Sequence, residues 1–315
     1  MKTIAIHGHR GARGYAPENT LASFQLAIEQ NASGIELDVS VTRDKQIIIY
    51  HDPYINPDTT REPNGTAVLH DKWRIYDMQL KRIQQFDVGC TDPTSNYGSQ
   101  FPNQIPVPGQ KIPTLRQLFI WLERIDSPET VVNIEIKSDP RKPHCSPPPA
   151  EFASLVLEEI RRAPTTNPVW IQSFDWRLLR EVQIQNPRIP TGYLTSQQPF
   201  FDTVTASEHG QSPWLAGYDP YKYNDCLPRA IYAAGGHYWG PDYRDLSAEL
   251  VAAAQSNYLT IHAWTVNLYS DVVTLVDLGV DGITSDYPKS AIEASSCIAG
   301  NSERNSAHKT NVTQR

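Results

Sequence analysis

The chain is poor in cysteine: four in 315 residues, Cys90, Cys145, Cys226 and Cys297, scattered and without a CxxC pair. This spacing excludes a zinc-finger pattern and a disulfide framework, and leaves free thiols of mostly structural use. A long hydrophobic run is also missing; none reaches the roughly 20 residues that a membrane helix needs. No charged-then-apolar leader stands before the first strand-like segment, "TIAIHG". The expectation is therefore a cytoplasmic protein, or a secreted or periplasmic one whose leader has been removed. Positive charge is not in excess. The formal net charge of −7 argues against a general nucleic-acid binder. It does not argue against a phosphate ligand, because a site is local and a metal reverses its sign. Finally, no GxGxxG follows the first strand, so a dinucleotide-binding sheet has no support.

What is present is alternation. "TIAIHG" is followed by the apolar-periodic helix "TLASFQLAIEQ", for which Asn19 or Thr20 is the expected cap. Strand-like and helix-like segments then alternate. "GIELDVSVT", "QIIIYHD", "VVNIEIK", "PVWIQSF", "TGYLT", "YLTIHAWTVN" and "DGITSD" read as strands. Such alternation implies a parallel sheet, and about eight strands point to an α/β fold of the (β/α)₈ TIM-barrel type. A barrel needs about 250 residues. The surplus is expected in a loop-rich insertion after the "HD" strand, about residues 53–113, which holds eight of the 25 prolines and one short helix near "WRIYDMQLKRI". The barrel is expected over 1–294. Residues 295–315 are polar, read as a disordered tail, and include the sequon Asn311-Val312-Thr313.

In such barrels the active site lies at the carboxyl ends of the strands. Side chains alternate faces along a strand. Glu36 and Asp38 of "GIELD" therefore share one face, as do Glu135 and Lys137 of "NIEIK". The barrel reading brings these to one rim with His9 and Arg10 of "HGHRG", His51 of "YHD", and Trp264 and Asn267 of "AWTVN". Two carboxylates about 5 Å apart repel by roughly 3 kcal/mol at an effective dielectric of 20. Three of them call for protons or a cation. Three hard oxygen ligands, Glu36, Asp38 and Glu135, suit one divalent cation, Mg²⁺ or Ca²⁺, rather than zinc. Arg10 and Lys137 add the charge to hold a phosphate. His9 and His51 are candidates for general base and acid. Trp264 is read as a wall of the substrate pocket, although core packing is its plain alternative. His7, in phase with His9, is expected one layer deeper, buried and hydrogen-bonded. Asp286 is expected either to orient Arg10 or His9 or to close the loop. The insertion's aromatics, Tyr54, Trp73, Tyr76 and Tyr97, are expected to pack the insertion itself, with a pocket lid as the alternative.

The segments "GHRGARGYAPENTLASF", "GIELDVSVTRDKQIIIYHD", "NIEIK", "AWTVN" and "GVDGITSDYP" occur in this order between about residues 4 and 290. Together the chain resembles the glycerophosphodiester phosphodiesterase family. The resemblance implies a TIM-like barrel that hydrolyses small-molecule glycerophosphodiesters to sn-glycerol 3-phosphate and an alcohol. It implies a metal on Glu36, Asp38 and Glu135, acid–base roles for His9 and His51, and phosphate contacts from Arg10 and Lys137. The family's route has the glycerol 2-hydroxyl attack phosphorus, followed by opening of a cyclic glycerophosphate by water. Competing readings are a phospholipase D-like activity on lysophospholipids or sphingomyelin, and a non-catalytic barrel that binds without chemistry. A two-carboxylate glycosidase would leave His9, His51 and Lys137 without a role. The alcohol, the choice of Mg²⁺ or Ca²⁺, which histidine is base and which acid, and the oligomeric state stay open at this point.

Overall fold

The computed structural model describes residues 4–69, 72–205 and 210–297. The elements run β1 (Ala5–Gly8), α1 (Leu21–Glu29), β2 (Gly34–Val41), β3 (Ile47–Ile49), the one-turn α2 (Leu80–Ile83), α3 (Leu115–Ile125), β4 (Val131–Ile136) and α4 (Pro149–Arg161). They continue with β5 (Val169–Ser173), α5 (Trp176–Gln185), β6 (Thr191–Thr195), β7 (Gln197–Gln198), β8 (Phe201–Asp202), α6 (Leu227–Ala233) and β9 (Tyr238–Pro241). Last come α7 (Ala248–Ser256), β10 (Thr260–Ala263), α8 (Tyr269–Leu278) and β11 (Gly282–Ser285). Residues 288–297 are helical, so the expected tail begins later than residue 295. The tail from residue 298, with its sequon, lies outside the described residues.

Among the described residues, eight parallel strands close into a barrel in the order β1-β2-β4-β5-β6-β9-β10-β11, with β11 paired back to β1. The number of strands is the one expected, but one member differs. "QIIIYHD" is not a barrel strand: its Ile47–Ile49 core runs antiparallel to the end of β2 as a hairpin arm. The eighth strand is β9, "YWGP". A glycine and a proline in four residues hide it from pattern reading. The buried apolar face of β2, Ile35, Leu37 and Val39, joins a core with the inner faces of the helices. Thr20, not Asn19, caps α1 by accepting from the Ser23 N–H. Thr114 and Gln117 form a reciprocal capping box on α3.

Between β3 and α3 the chain is less featureless than expected. Ile55, Val68, Ile75, Met78, Ile83, Phe86 and Val88 gather with Ile48, Tyr50 and Ile112 into a second, smaller core. Trp73 packs against that core, edge-on to Phe86. Tyr76 instead packs on the main core and carries the Lys45 ammonium over its ring. Among the described residues no helix is long and apolar enough to cross a membrane.

Candidate active site

Strand register sets the height of each polar side chain. Asp38 on β2 is the register partner of Glu135 on β4, which in turn faces Gln172 on β5. Glu36 lies two residues deeper on β2. One oxygen from each of Glu36, Asp38 and Glu135 lies within 4.8 Å of the others, and all three residues are buried. At that separation each unrelieved pair of charges costs about 3 kcal/mol at an effective dielectric of 20. Burial and the charges of Asp38 and Glu135 push the Glu36 carboxyl well above its ordinary range. Burial also raises Glu135, against the opposing pull of Lys137. Burial acts upward on Asp38 too, but Arg10, His51 and Lys137 outweigh it and hold Asp38 below the usual carboxylate range.

The loop from β1 to α1 does most of the positioning. Arg10 adopts a left-handed backbone, φ 50°, an uncommon conformation for a side-chain-bearing residue. Its N–H thereby donates to Glu36 Oε2 at 3.0 Å. Its guanidinium reaches Glu18 at 2.8 Å and Asp38 at 3.2 Å. Asn19, also left-handed at φ 55°, donates its side-chain amide to Asp38 Oδ2 at 2.9 Å. Gln172 donates to Glu36 Oε1 at 3.3 Å. Lys137 Nζ lies 2.6 Å from Glu135 and 3.6 Å from Asp38.

Both histidines are held in the same way. Asp286, just past β11, lies 2.7 Å from His9 Nδ1, and Asp52 lies 2.6 Å from His51 Nδ1. Each carboxylate takes one ring nitrogen and leaves Nε2 for chemistry. His9 Nε2 lies 4.0 Å from Glu36. Burial and the Arg13 charge lower the His9 pKa to about 3, although Asp286 pulls the other way. Asp286 therefore orients His9, and its second partner is Arg13 at 2.5 Å, not Arg10. Asn267 fixes Asp286 from the other side by donating to Oδ2 at 2.7 Å. Arg13 also donates to the Tyr97 hydroxyl at 3.1 Å, so the segment between β3 and α3 reaches this cluster.

A cavity of about 530 Å³ opens here, bordered by His9, Arg10, His51, Glu135, Lys137 and Trp264. Glu36 also borders it, whereas Asp38 is not among its lining residues. The Trp264 indole N–H donates to the Gly240 carbonyl at 2.8 Å, leaving the ring to face the cavity. His7 is buried one layer down as expected. It is not hydrogen-bonded, however: both ring nitrogens lack a partner. It packs instead against the rings of His262 and Trp170. The supporting residues Arg13, Glu18, Asn19 and Gln172 were not singled out as site residues from sequence. The signal was available for two of them, since Glu18 and Asn19 are the central pair of "PENT".

The model of the glycerophosphoryl diester phosphodiesterase family matches residues 9–290. The chain belongs to the glycerophosphodiester phosphodiesterase family. A glycerophosphodiester phosphodiesterase of Caldanaerobacter subterraneus is 30% identical over 93% of this chain and 97% of its own. One from Bacillus subtilis is 31% identical over 90% of this chain and 84% of its own. The crystal structure of a Silicibacter pomeroyi protein superposes with a TM-score of 0.82 at 31% identity, covering 94% of both chains. An Oleispira antarctica phosphodiesterase, solved with the product sn-glycerol-3-phosphate, shares the fold at 23% identity and a TM-score of 0.67, over 92% of this chain and 96% of its own. The protein is thus a phosphoric diester hydrolase on a TIM barrel.

Proposed function

We propose that this phosphodiesterase is metal-dependent and hydrolyses glycerophosphodiesters to sn-glycerol 3-phosphate and an alcohol, with His9 as base and His51 as acid. The observation that carries the proposal is the pairing of two carboxylate-held imidazoles with a buried three-carboxylate cluster at one cavity. The cluster fits Mg²⁺ or Ca²⁺: its donors are hard oxygens, and its crowding is relieved by positive charge. When bound, such a cation supplies charge stabilisation to phosphoryl oxygens. Glu36, Asp38 and Glu135 would hold it. Lys137 and Arg10 border the same space and add charge for the phosphate. His9, held neutral by burial and the Arg13 charge, takes the proton of the glycerol 2-hydroxyl as that oxygen attacks phosphorus. His51 protonates the departing alcohol. Intramolecular attack profits from proximity. In the second stage the proton transfers reverse: water opens the cyclic glycerophosphate with His51 as base, and the 2-oxygen recovers its proton from His9.

The test is release of glycerol 3-phosphate from glycerophosphocholine by wild type and by His51→Ala, each with and without EDTA. The expected outcome is release that EDTA abolishes, that Mg²⁺ or Ca²⁺ restores, and that falls about 10²-fold or more in the variant. Release that survives both EDTA and the substitution overturns the metal-and-histidine reading.

A further inference from the structure

The cavity has two poles. One is the carboxylate and histidine cluster. The other is aromatic: Phe174 after β5, Phe201 on β8, Trp214 and Trp264. These rings meet edge to face. Phe174 lies 5.0 Å from Phe201 and 5.3 Å from Trp264, and Phe201 lies 5.7 Å from Trp214. A phosphodiester seated on the polar pole has one of its two ester arms beside this wall.

An aromatic wall of this kind could take a quaternary ammonium or an apolar group. A quaternary ammonium binds ring faces. Here two of the four ring faces, those of Phe174 and Trp214, are already engaged by cations of the chain. Lys137 Nζ stands 5.9 Å from the Phe174 ring centre, and the Arg141 guanidinium stands 5.0 Å from that of Trp214. At the mouth, Arg244 covers Phe200 at 5.0 Å. Among the described residues that line this side of the cavity, no spare carboxylate compensates. Asp139, the acid on this side of the cavity, accepts from Arg141 with both oxygens at 2.9 Å. A cationic alcohol would meet like charge on those two faces, with Lys137 and Arg141 close to the other two rings.

Resting on the glycerophosphodiesterase reading, we infer that the aromatic pole is an alcohol subsite selecting neutral, apolar alcohols over cationic ones. The substrate class is then glycerophosphodiesters whose alcohol carries an alkyl or aryl body, rather than choline or ethanolamine.

The test compares two substrates of one shape: the choline ester of sn-glycerol 3-phosphate and its neohexyl ester, in which carbon replaces the ammonium nitrogen. Choline is intrinsically the better leaving group, because its charge stabilises the departing oxygen, so chemistry alone favours the choline ester. Burying an apolar head of this size is worth about as much as burying a Val or Leu side chain. The expected result is a kcat/KM about tenfold or more higher for the neohexyl ester. The methyl, butyl and hexyl esters, whose leaving groups are equally reactive, should rise by up to about fourfold per methylene. Phe201→Ala, at a half-buried position on the wall, should flatten the hexyl-to-methyl ratio, whereas a purely structural role would lower all esters alike. A flat alkyl series, or preference for choline, overturns the subsite and leaves the glycerophosphodiesterase reading standing. No glycerol 3-phosphate from any ester overturns both.

Discussion

His7→Phe should make the barrel less sensitive to acid. His7 is fully buried on β1, and both ring nitrogens lack hydrogen-bond partners. Its ring lies 4.2 Å from that of His262 and 5.2 Å from that of Trp170. Gly34 makes the space: a Cβ there would stand 2.5 Å from the imidazole. Burial, helped by His262, lowers the His7 pKa well below its ordinary 6.5. The unfolded chain binds a proton near pH 6.5 that the folded chain refuses. The resulting contribution to stability is present above pH 6.5 and is lost as pH falls. Between pH 7 and pH 5 one such histidine loses about 2 kcal/mol. Phenylalanine keeps a planar ring, removes the titration and strands no partner. Its packing change is the same at both pH values and cancels from the comparison. Urea unfolding of both proteins at pH 7 and pH 5 gives four free energies. The drop in stability between the two pH values should be about 2 kcal/mol smaller for the variant. Equal drops would refute the reasoning, and would mean that folded His7 accepts a proton near its ordinary pKa.

Two further outcomes concern the histidines at the cavity. In a single turnover, His51→Ala should slow release of the alcohol about 10²-fold or more from an alkyl ester but release of p-nitrophenol little, because that leaving group departs without a proton and before water opens the cyclic phosphate; a comparable slowing of both first-stage releases would rule His51 out as the acid. Asp286→Asn should leave the Arg13 and His9 side chains in place but reduce kcat by about 10²-fold or more, because the carboxylate that stabilises protonated His9 is gone. Steady-state kinetics with an unchanged kcat would reduce Asp286 to a loop tether.

How much of the site was legible follows from the strand period. Glu36 and Asp38, and likewise Glu135 and Lys137, are two apart on strands, so each pair had to share a face. The closed barrel then brings both faces together, with Asp38 level with Glu135. What stayed hidden lies off the strands. Arg13, Glu18 and Asn19 act from a loop whose shape depends on left-handed residues at 10 and 19, and no periodicity reports a loop's shape. The hairpin arm β3 hid for a related reason. Three isoleucines read equally well as a barrel strand or as an antiparallel return, and only the turn at Thr42–Lys45 reverses them.

The same period has a cost beneath the site. A polar residue at a strand end has the residue two before it facing the same interior, so the layer below the chemistry comprises Glu36 under Asp38, Asn133 under Glu135, Trp170 under Gln172, His262 under Trp264 and His7 under His9. Most of this polar layer is satisfied internally. Asn133 donates to Gln172 at 3.1 Å and accepts from Tyr238 at 2.9 Å, and His262 meets the Thr284 hydroxyl at 3.0 Å. Among the buried members of this layer His7 alone has no such bond. An unpartnered buried polar group costs about 1–3 kcal/mol. The barrel tolerates it beside a strand whose next inward residue is the imidazole that Asp286 holds for the reaction. With that cost removed, the phenylalanine variant should also be at least as stable as wild type at pH 7 in the same urea unfolding; a clearly less stable variant would place the cost elsewhere than at the His7 nitrogens.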